Sequence, residues 1–505
     1  MGIGKRENAA MAVNQDLPTK LPGAILREDY RCLIGGELAL SHSGRTFVSV
    51  NPATGEKLAN VPACDGEDVN RAVEAAHRAF PAWKKLTPAE RAATCRRFAE
   101  RLRARAETYA MLDALDLGSP LQAMRKDVAS AAALIEWYAG LAPEIKGETI
   151  PANAQTLNFT VREPYGVVGR ITPFNHPIMF AARIAAPLIA GNTLVLKPAE
   201  QAPLSALEMA HDVKEIFPPG VVNIISGDGL SAGVPLVKHP LVRRIHFTGS
   251  VEVGREIMRA AAEGLKTITL ELGGKNPMIV FPDADLDKAV DGAFNGMNYC
   301  WSQGQSCGST SRLFLHADIH DEFLDRLIEK VQSARIGMPT DESTAMGCLV
   351  SQKHFDKVMS YIELGKKEGA RLVAGGGRPS QPELQHGWFV LPTIFDNVKQ
   401  TMRIAQEEIF GPVQAVLTWS EETDVLRMAN SLQFGLTASI WTRDFSKAYR
   451  MAREIEAGFV WINDSSRHFP GVPFGGVKQS GFGREESLAD LLSYTQLKSI
   501  NVNLG

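Results

Sequence analysis

Apolar residues recur at helical spacing over the first part of the chain. Between about 68 and 139, Val69, Val73, Ala76 and Phe80 fall three or four residues apart, and Trp83 follows. Thr87-Pro88-Ala89-Glu90 opens a further helix, with Thr87 as N-cap, Pro88 in the first turn and Glu90 placed to reach back to the cap. From Gly166 the period changes. β-Branched runs at 167–172, 193–196, 221–225 and 244–248 alternate with helical stretches at 177–190, Leu204–Ile216 and Val251–Ala262. Alternation at this pitch predicts a parallel sheet with helices on both faces, hence an α/β chain. A second α/β series is expected from near Thr267 to about Ser480. Two segments stand outside both series: 148–168, punctuated by Pro151 and Pro164, and the strand-like run 492–503. They read as an edge sheet that pairs with another subunit, or as an ordinary surface hairpin.

A chain of 505 residues is too long for one core and suits two or three domains. The first 25 or so residues are polar and Ala-rich without the apolar stretch of a signal peptide, and 1–28 are expected to form a loose tail. A net charge of −3 gives no electrostatic reason to expect nucleic acid or an acidic membrane surface. No apolar run has the length of a bilayer span. The six cysteines are scattered without a C-x-x-C pair, so neither a metal site nor a disulfide framework is expected, and a reducing cytoplasm fits best.

Most cysteines in such a chain are small buried hydrophobes. Cys307 differs by context, in Gly304-Gln305-Ser306-Cys307, with Glu271 upstream in Glu271-Leu272-Gly273-Gly274-Lys275. A thiolate attacks carbonyl carbon, and a carboxylate within reach can activate water to release the thioester. Phe247-Thr248-Gly249-Ser250 ends a strand and opens a helix, where backbone N–H groups favour phosphate. Gly254 comes five positions after Gly249 with no glycine between, so this is not the usual dinucleotide fingerprint. Gly227-Asp228-Gly229, taken alone, is a strand-to-helix turn. Lys197-Pro198-Ala199-Glu200 sits at a strand's C-terminal end, where an ammonium and a carboxylate can hold ribose hydroxyls or form a solvated loop. Asn175, in Thr172-Pro173-Phe174-Asn175-His176-Pro177, supplies an amide between two prolines that can steady an oxyanion. Glu408 and Phe410 precede a turn and can hold ribose and a flat ring, or cap a helix end.

Together these motifs, with Pro473-Phe474-Gly475-Gly476 and Ser480-Gly481-Phe482-Gly483-Arg484-Glu485, resemble the aldehyde dehydrogenase superfamily over roughly residues 30 to 500. The resemblance implies two Rossmann-like parallel-sheet domains and a small bridging β sheet. It implies a cofactor domain at 29–147 and 169–272, a catalytic domain at 273–484, and bridging segments at 148–168 and 485–505 that build a homodimer or homotetramer. It makes Cys307 the nucleophile, Asn175 the oxyanion donor, Glu271 the general base and Glu485 a second acid that relays protons. Ile171, Thr172, Pro173, Phe174, Lys197, Glu200, Gly229, Phe247, Gly249, Ser250, Gly254, Leu272, Glu408 and Phe410 fall at cofactor positions. The implied reaction oxidises an aldehyde to an acid with NAD, NADP remaining open; Glu200 would repel a 2′-phosphate. No metal is implied.

The substrate tunnel departs from common patterns. His176 stands where an aromatic residue is frequent, and Arg183 where many members place a tryptophan. Trp301 matches an aromatic of betaine-aldehyde members, but an arginine nearby would repel a quaternary ammonium. Arg183, His176 and His468 can together receive a carboxylate, which points to an anionic or polar semialdehyde. Alternatively, Arg183 pairs with a local acid, and Trp301, Phe180 and Phe474, with Ser306 beside the thiol, line a tunnel for an aromatic or aliphatic aldehyde. A CoA-acylating enzyme, a silent structural relative and a bare dinucleotide-binding module are the rival readings. Glu271 argues against the first, and an intact Cys307 with Asn175 against the others.

Overall fold

A computed structural model describes residues 26–505. Residues 1–25 of the expected tail lie outside the described residues. The remainder is tied down: Arg27 donates to Glu208, whose side chain is fully buried, at 2.6 Å.

The first helices follow the apolar pattern. Helix α1 (Gly66–Lys85) starts at an Asp65 capping box and buries Val69, Val73, Ala76 and Trp83, leaving Phe80 half-buried. Helix α2 (Pro88–Ala104) opens on the Thr87/Glu90 capping box expected from the sequence. Helices α3 (Ala106–Leu117) and α4 (Leu121–Gly140) complete this layer, and α4 packs on both α2 and α3.

An eight-stranded sheet forms the first core. Its five central strands are parallel and run across the sheet in the order Val222–Ile224, Thr193–Lys197, Val167–Ile171, Val242–Thr248, Thr267–Glu271. The chain leaves Val167–Ile171 toward one side and later returns to its other side, so a crevice opens beyond the carboxyl ends of Val167–Ile171 and Val242–Thr248. The helix expected over 177–190 is broken into α5 (Pro177–Ala181) and α6 (Ala185–Ile189). Pro187 has no N–H for the carbonyl four residues earlier, which belongs to Arg183, and the helix interrupts there. Helices α7 (Leu204–Ile216), α8 (Val234–Lys238) and α9 (Val251–Ala262) cover the sheet.

The second α/β series begins at Pro277, later than expected, because Thr267–Glu271 pairs in parallel with Val242–Thr248 of the first sheet. Its seven-stranded sheet is parallel except for the edge strand Arg371–Ala374. Leu272 to Asn276 joins the two sheets directly.

Thr495–Asn503 pairs antiparallel with Thr156–Pro164 in register from Thr495↔Pro164 to Asn503↔Thr156, and Thr149–Ile150 adds a third strand. The C-terminal strand starts at Thr495 and not at 492, because Leu488–Ser493 is helical. Residues 485–494 therefore leave the expected bridging segment: Glu485, Leu491 and Tyr494 are buried against the first core. Among the described residues no helix is long and apolar enough to cross a membrane.

Candidate active site

The crevice at the carboxyl ends of the first sheet is a cavity of about 650 Å³. Ile171, Thr172, Pro173, Phe174, Lys197, Glu200, Gly229, Phe247, Gly249, Ser250, Leu272, Glu408 and Phe410 all line it. Gly254 does not. It sits on α9 against Leu272, whose Cδ2 would lie 2.7 Å from an added Cβ, so its role is to admit that side chain. At Gly249 an added Cβ would strike the Phe247 ring, while Ser250 caps α9 by accepting from Val253 N–H at 3.3 Å. Lys197 is buried, with Nζ donating to the Pro198 carbonyl at 3.2 Å and standing 3.7 Å from Glu200; burial lowers its pKa. Thr172 Oγ1 is buried without a hydrogen-bond partner among the described residues. A backbone cradle at a helix start, a buried ammonium and an orphaned hydroxyl fit a dinucleotide.

On the opposite wall Glu408 accepts from Gly274 N–H at 3.0 Å, and burial raises its pKa. Phe410 adopts a left-handed φ of 61°, with His354 Nε2 2.6 Å from its carbonyl oxygen and the Phe174 ring edge-on to its own. Strain of this kind persists only where the surroundings fix it. The two glycines after Leu272 now have reasons. A side chain at Gly273 would collide with the Glu408 carboxylate, and one at Gly274 would come within 2.8 Å of the Cys307 carbonyl oxygen.

Cys307 stands on a pinned loop. Asn298 and Gln303 take left-handed conformations, as does Gly304, where a Cβ would run into the backbone of Gly411. Gln305 is buried and fixed at both ends of its amide, donating to Ser302 O at 3.1 Å and accepting from Val350 N–H at 3.1 Å. Asn276 holds the carbonyls of Cys307 (2.7 Å) and Ser309 (2.9 Å). Burial, then the carboxyls of Glu408 and Glu271, push the thiol up to about 12.

A second cavity of about 370 Å³ opens from the other side. His176, Phe180, Arg183, Trp301, Ser306, His468 and Phe474 line it, with Glu485 and Glu486. Asn175, Glu271 and Cys307 line both cavities, so the thiol stands where the two meet. Both oxygens of Glu271 are buried without a hydrogen-bond partner among the described residues. Burial and the neighbouring Glu485 raise its pKa well above the usual carboxyl range. Burial also acts against Glu485, but Arg183, His246 and Arg170 outweigh it and keep its carboxyl well below that range. Arg183 Nη1 donates to Glu485 Oε2 at 2.6 Å and Arg170 Nη2 to Oε1 at 3.1 Å, while His246 Nε2 lies 2.6 Å from Oε1. Two neighbouring acids are thus driven to opposite protonation states.

A family profile described as the aldehyde dehydrogenase family matches residues 39–500. Aldehyde dehydrogenase tropH of Talaromyces stipitatus is 49% identical over 465 residues, covering 90% of each chain. The chain belongs to the aldehyde dehydrogenase family. Hydroxyisobutyraldehyde dehydrogenase of Mycolicibacterium austroafricanum is 45% identical over 473 residues, 93% of each chain. An NAD+ complex of an aldehyde dehydrogenase from Bacillus cereus superimposes with a TM-score of 0.92 at 42% identity, covering 95% of this chain and 98% of that one. This chain is accordingly an NAD(P)-dependent oxidoreductase acting on aldehydes.

In this aldehyde dehydrogenase the expected carboxylate receptor is already filled. Arg183 also donates through Nη2 to Glu486 Oε1 at 2.9 Å and lies over the Phe180 ring. His176 Nδ1 is 2.7 Å from Asp127 Oδ2, and His468 Nδ1 is 3.3 Å from Glu486 Oε2. Arg183, His176 and His468 thus each face a protein carboxylate. The relay expected of Glu485 meets a carboxylate whose two oxygens are both taken. Its geometry suits a fixed negative charge. Asp127, His354 and Lys357 escaped the sequence reading, although the latter two line the larger cavity. Only Asp127 had a signal: it shares a face of α4 with the apolar Met124, Val128 and Ala131.

Proposed function

We propose that this enzyme oxidises a compact, neutral aldehyde to its carboxylic acid with NAD, through a thioester on Cys307. The observation that carries the proposal is the junction: one thiol shared by both cavities, beside a buried carboxyl with no partner of its own. Cys307 gives its proton to water in the open cavity, and its sulfur bonds the aldehyde carbon. The oxyanion that forms is met by the Asn175 amide and a backbone N–H. NAD, when bound, supplies the hydride acceptor that converts this adduct to a thioester. Gly249, Ser250, Lys197 and Glu200 would hold its phosphate and adenosine-ribose side, and Glu408 and Phe410 the other. Glu271, once ionised, takes a proton from water; hydroxide adds to the thioester carbon, the thiolate leaves and the acid departs. Glu485, whose pKa is lowered by Arg183, His246 and Arg170, adds to burial in raising the proton affinity of Glu271.

NAD is preferred because the Glu200 carboxylate borders the cavity, and the Bacillus cereus relative's NAD+ complex supports this. The pairing of Arg183 with Glu485 and Glu486 supports a neutral substrate, and the relative named for hydroxyisobutyraldehyde is in keeping with it. An aromatic aldehyde is the second reading, carried by the rings of Trp301, Phe180 and Phe474 in the wall. We further assign residues 29–147 and 169–272 to cofactor binding and 273–484 to catalysis, and the three-stranded sheet with its exposed Leu157, Leu497 and Val502 to contact between subunits. The test follows reduced-nicotinamide absorbance with anionic semialdehydes, small neutral aldehydes, aromatic aldehydes and betaine aldehyde. Preference for the small neutral set supports the proposal, and preference for semialdehydes overturns its substrate half.

A further inference from the structure

We infer that His176, oriented by Asp127, recognises a hydroxyl group on the aldehyde. This deepens the proposed function and rests on it. Asp127 is fully buried among apolar residues of α4, where an acid is retained only if its oxygens are satisfied. Both are satisfied by side chains from other elements. Oδ2 takes the Nδ1 side of His176, the residue that precedes α5, at 2.7 Å. Oδ1 accepts from Trp301 Nε1, in the short helix Tyr299–Ser302, at 2.8 Å. The His176 and Trp301 rings then meet edge to face, with centroids 5.5 Å apart. One carboxylate therefore fixes the orientation of two walls of the cavity that reaches Cys307.

The consequence lies at the other ring nitrogen. With Nδ1 committed to Asp127, Nε2 points to the opposite side of the imidazole and has no hydrogen bond among the described residues, while Met179, Phe180 and Trp301 line the same cavity with apolar surface. In the neutral ring Nε2 accepts a hydrogen bond; in the protonated ring it donates one. A hydroxyl satisfies either state, because it both donates and accepts. A methyl group of the same size satisfies neither and leaves Nε2 desolvated and unpaired, which is the situation in which polar sites discriminate well. His176 is thus a specificity residue, and Asp127 a positioning residue acting through it.

The experiment compares kcat/KM for 2-hydroxy-2-methylpropanal and 2,2-dimethylpropanal, which differ by hydroxyl for methyl. The wild type should favour the hydroxylated aldehyde by about tenfold or more. His176→Phe should bring the ratio to near one whatever the absolute rates, and His176→Gln, which keeps a polar tip, should restore part of it. Asp127→Asn should raise KM for the hydroxylated aldehyde more than for its methyl analogue. A wild-type ratio near one, a ratio unchanged in His176→Phe, or loss of both substrates in equal proportion in all three variants would overturn the inference and make the Asp127 cluster structural. A wild type that oxidises no aldehyde of either kind while oxidising semialdehydes contradicts the proposed substrate class itself, a separate failure.

Discussion

The two cavities that meet at Cys307 are built by different means. The larger takes its shape from backbone: strand ends of a single sheet, the start of α9, and glycines at 249 and 273 where a side chain would strike a neighbour. Charged side chains line it too, Lys197, Glu200, Lys357 and Glu408 among them. The smaller is walled by side chains from α4, α5, Tyr299–Ser302 and the segments 466–474 and 485–486. Its basic side chains are matched by carboxylates from other parts of the chain, as Arg183 is by Glu485, 302 positions away. The first cavity selects by fit to a preformed turn. In the second, pairing among protein ions comes first, and the substrate meets what pairing leaves over.

The largest effect that would break this comparison is at Arg183. If its charge serves to pair Glu485 and Glu486, Arg183→Leu takes a cation from two buried carboxylates, of which Glu485 keeps Arg170, and should cost about 3–5 kcal/mol in denaturant unfolding. Adding Glu486→Gln should return part of that loss. Unchanged stability with a selective loss of activity toward anionic aldehydes would instead make Arg183 a substrate ligand.

The junction itself should show a strong dependence on pH. With the Cys307 thiol pushed up to about 12, the free enzyme holds it protonated at neutrality. Alkylation by iodoacetamide should therefore accelerate with pH, by about a hundredfold between pH 7 and 9, since the thiolate fraction grows about tenfold per unit below the pKa. The labelled peptide is followed by mass spectrometry. A rate already at its plateau at pH 7 would show that the thiolate is formed without ligand.

A smaller effect sharpens the other side. Glu200→Gln removes the carboxylate expected to oppose a 2′-phosphate and should shift the NAD to NADP ratio of kcat/KM by about tenfold, on the order of 1.4 kcal/mol. An unmoved ratio would place cofactor choice elsewhere.

Legibility in the sequence follows the same division. Strand ends and glycine turns are local, so the lining of the larger cavity could be named from short runs, and so could the alternation that predicts its sheet. Gly254 was placed wrongly because it acts one layer behind, by making room for Leu272. The break between α5 and α6 was written in Pro187, but periodicity alone runs through it. The sequence left open whether Arg183 meets a substrate carboxylate or a protein acid, because its partners are nonlocal: nothing around Arg183 announces Glu485 and Glu486. His354 and Lys357 reach the larger cavity from Gln352–Lys367, a helix that belongs to the second α/β series. Asp127 was the exception, an acid on an apolar face whose two partners only the folded chain reveals.

The central claim is that chemistry passes through a thioester on Cys307 that Glu271 resolves. Its most direct test is intact-protein and peptide mass spectrometry of Glu271→Gln after incubation with NAD and a turned-over aldehyde. The account predicts one equivalent of reduced nicotinamide, little further turnover, and an acyl group on the peptide carrying Cys307. Wild-type turnover with no acyl group on that peptide would contradict it.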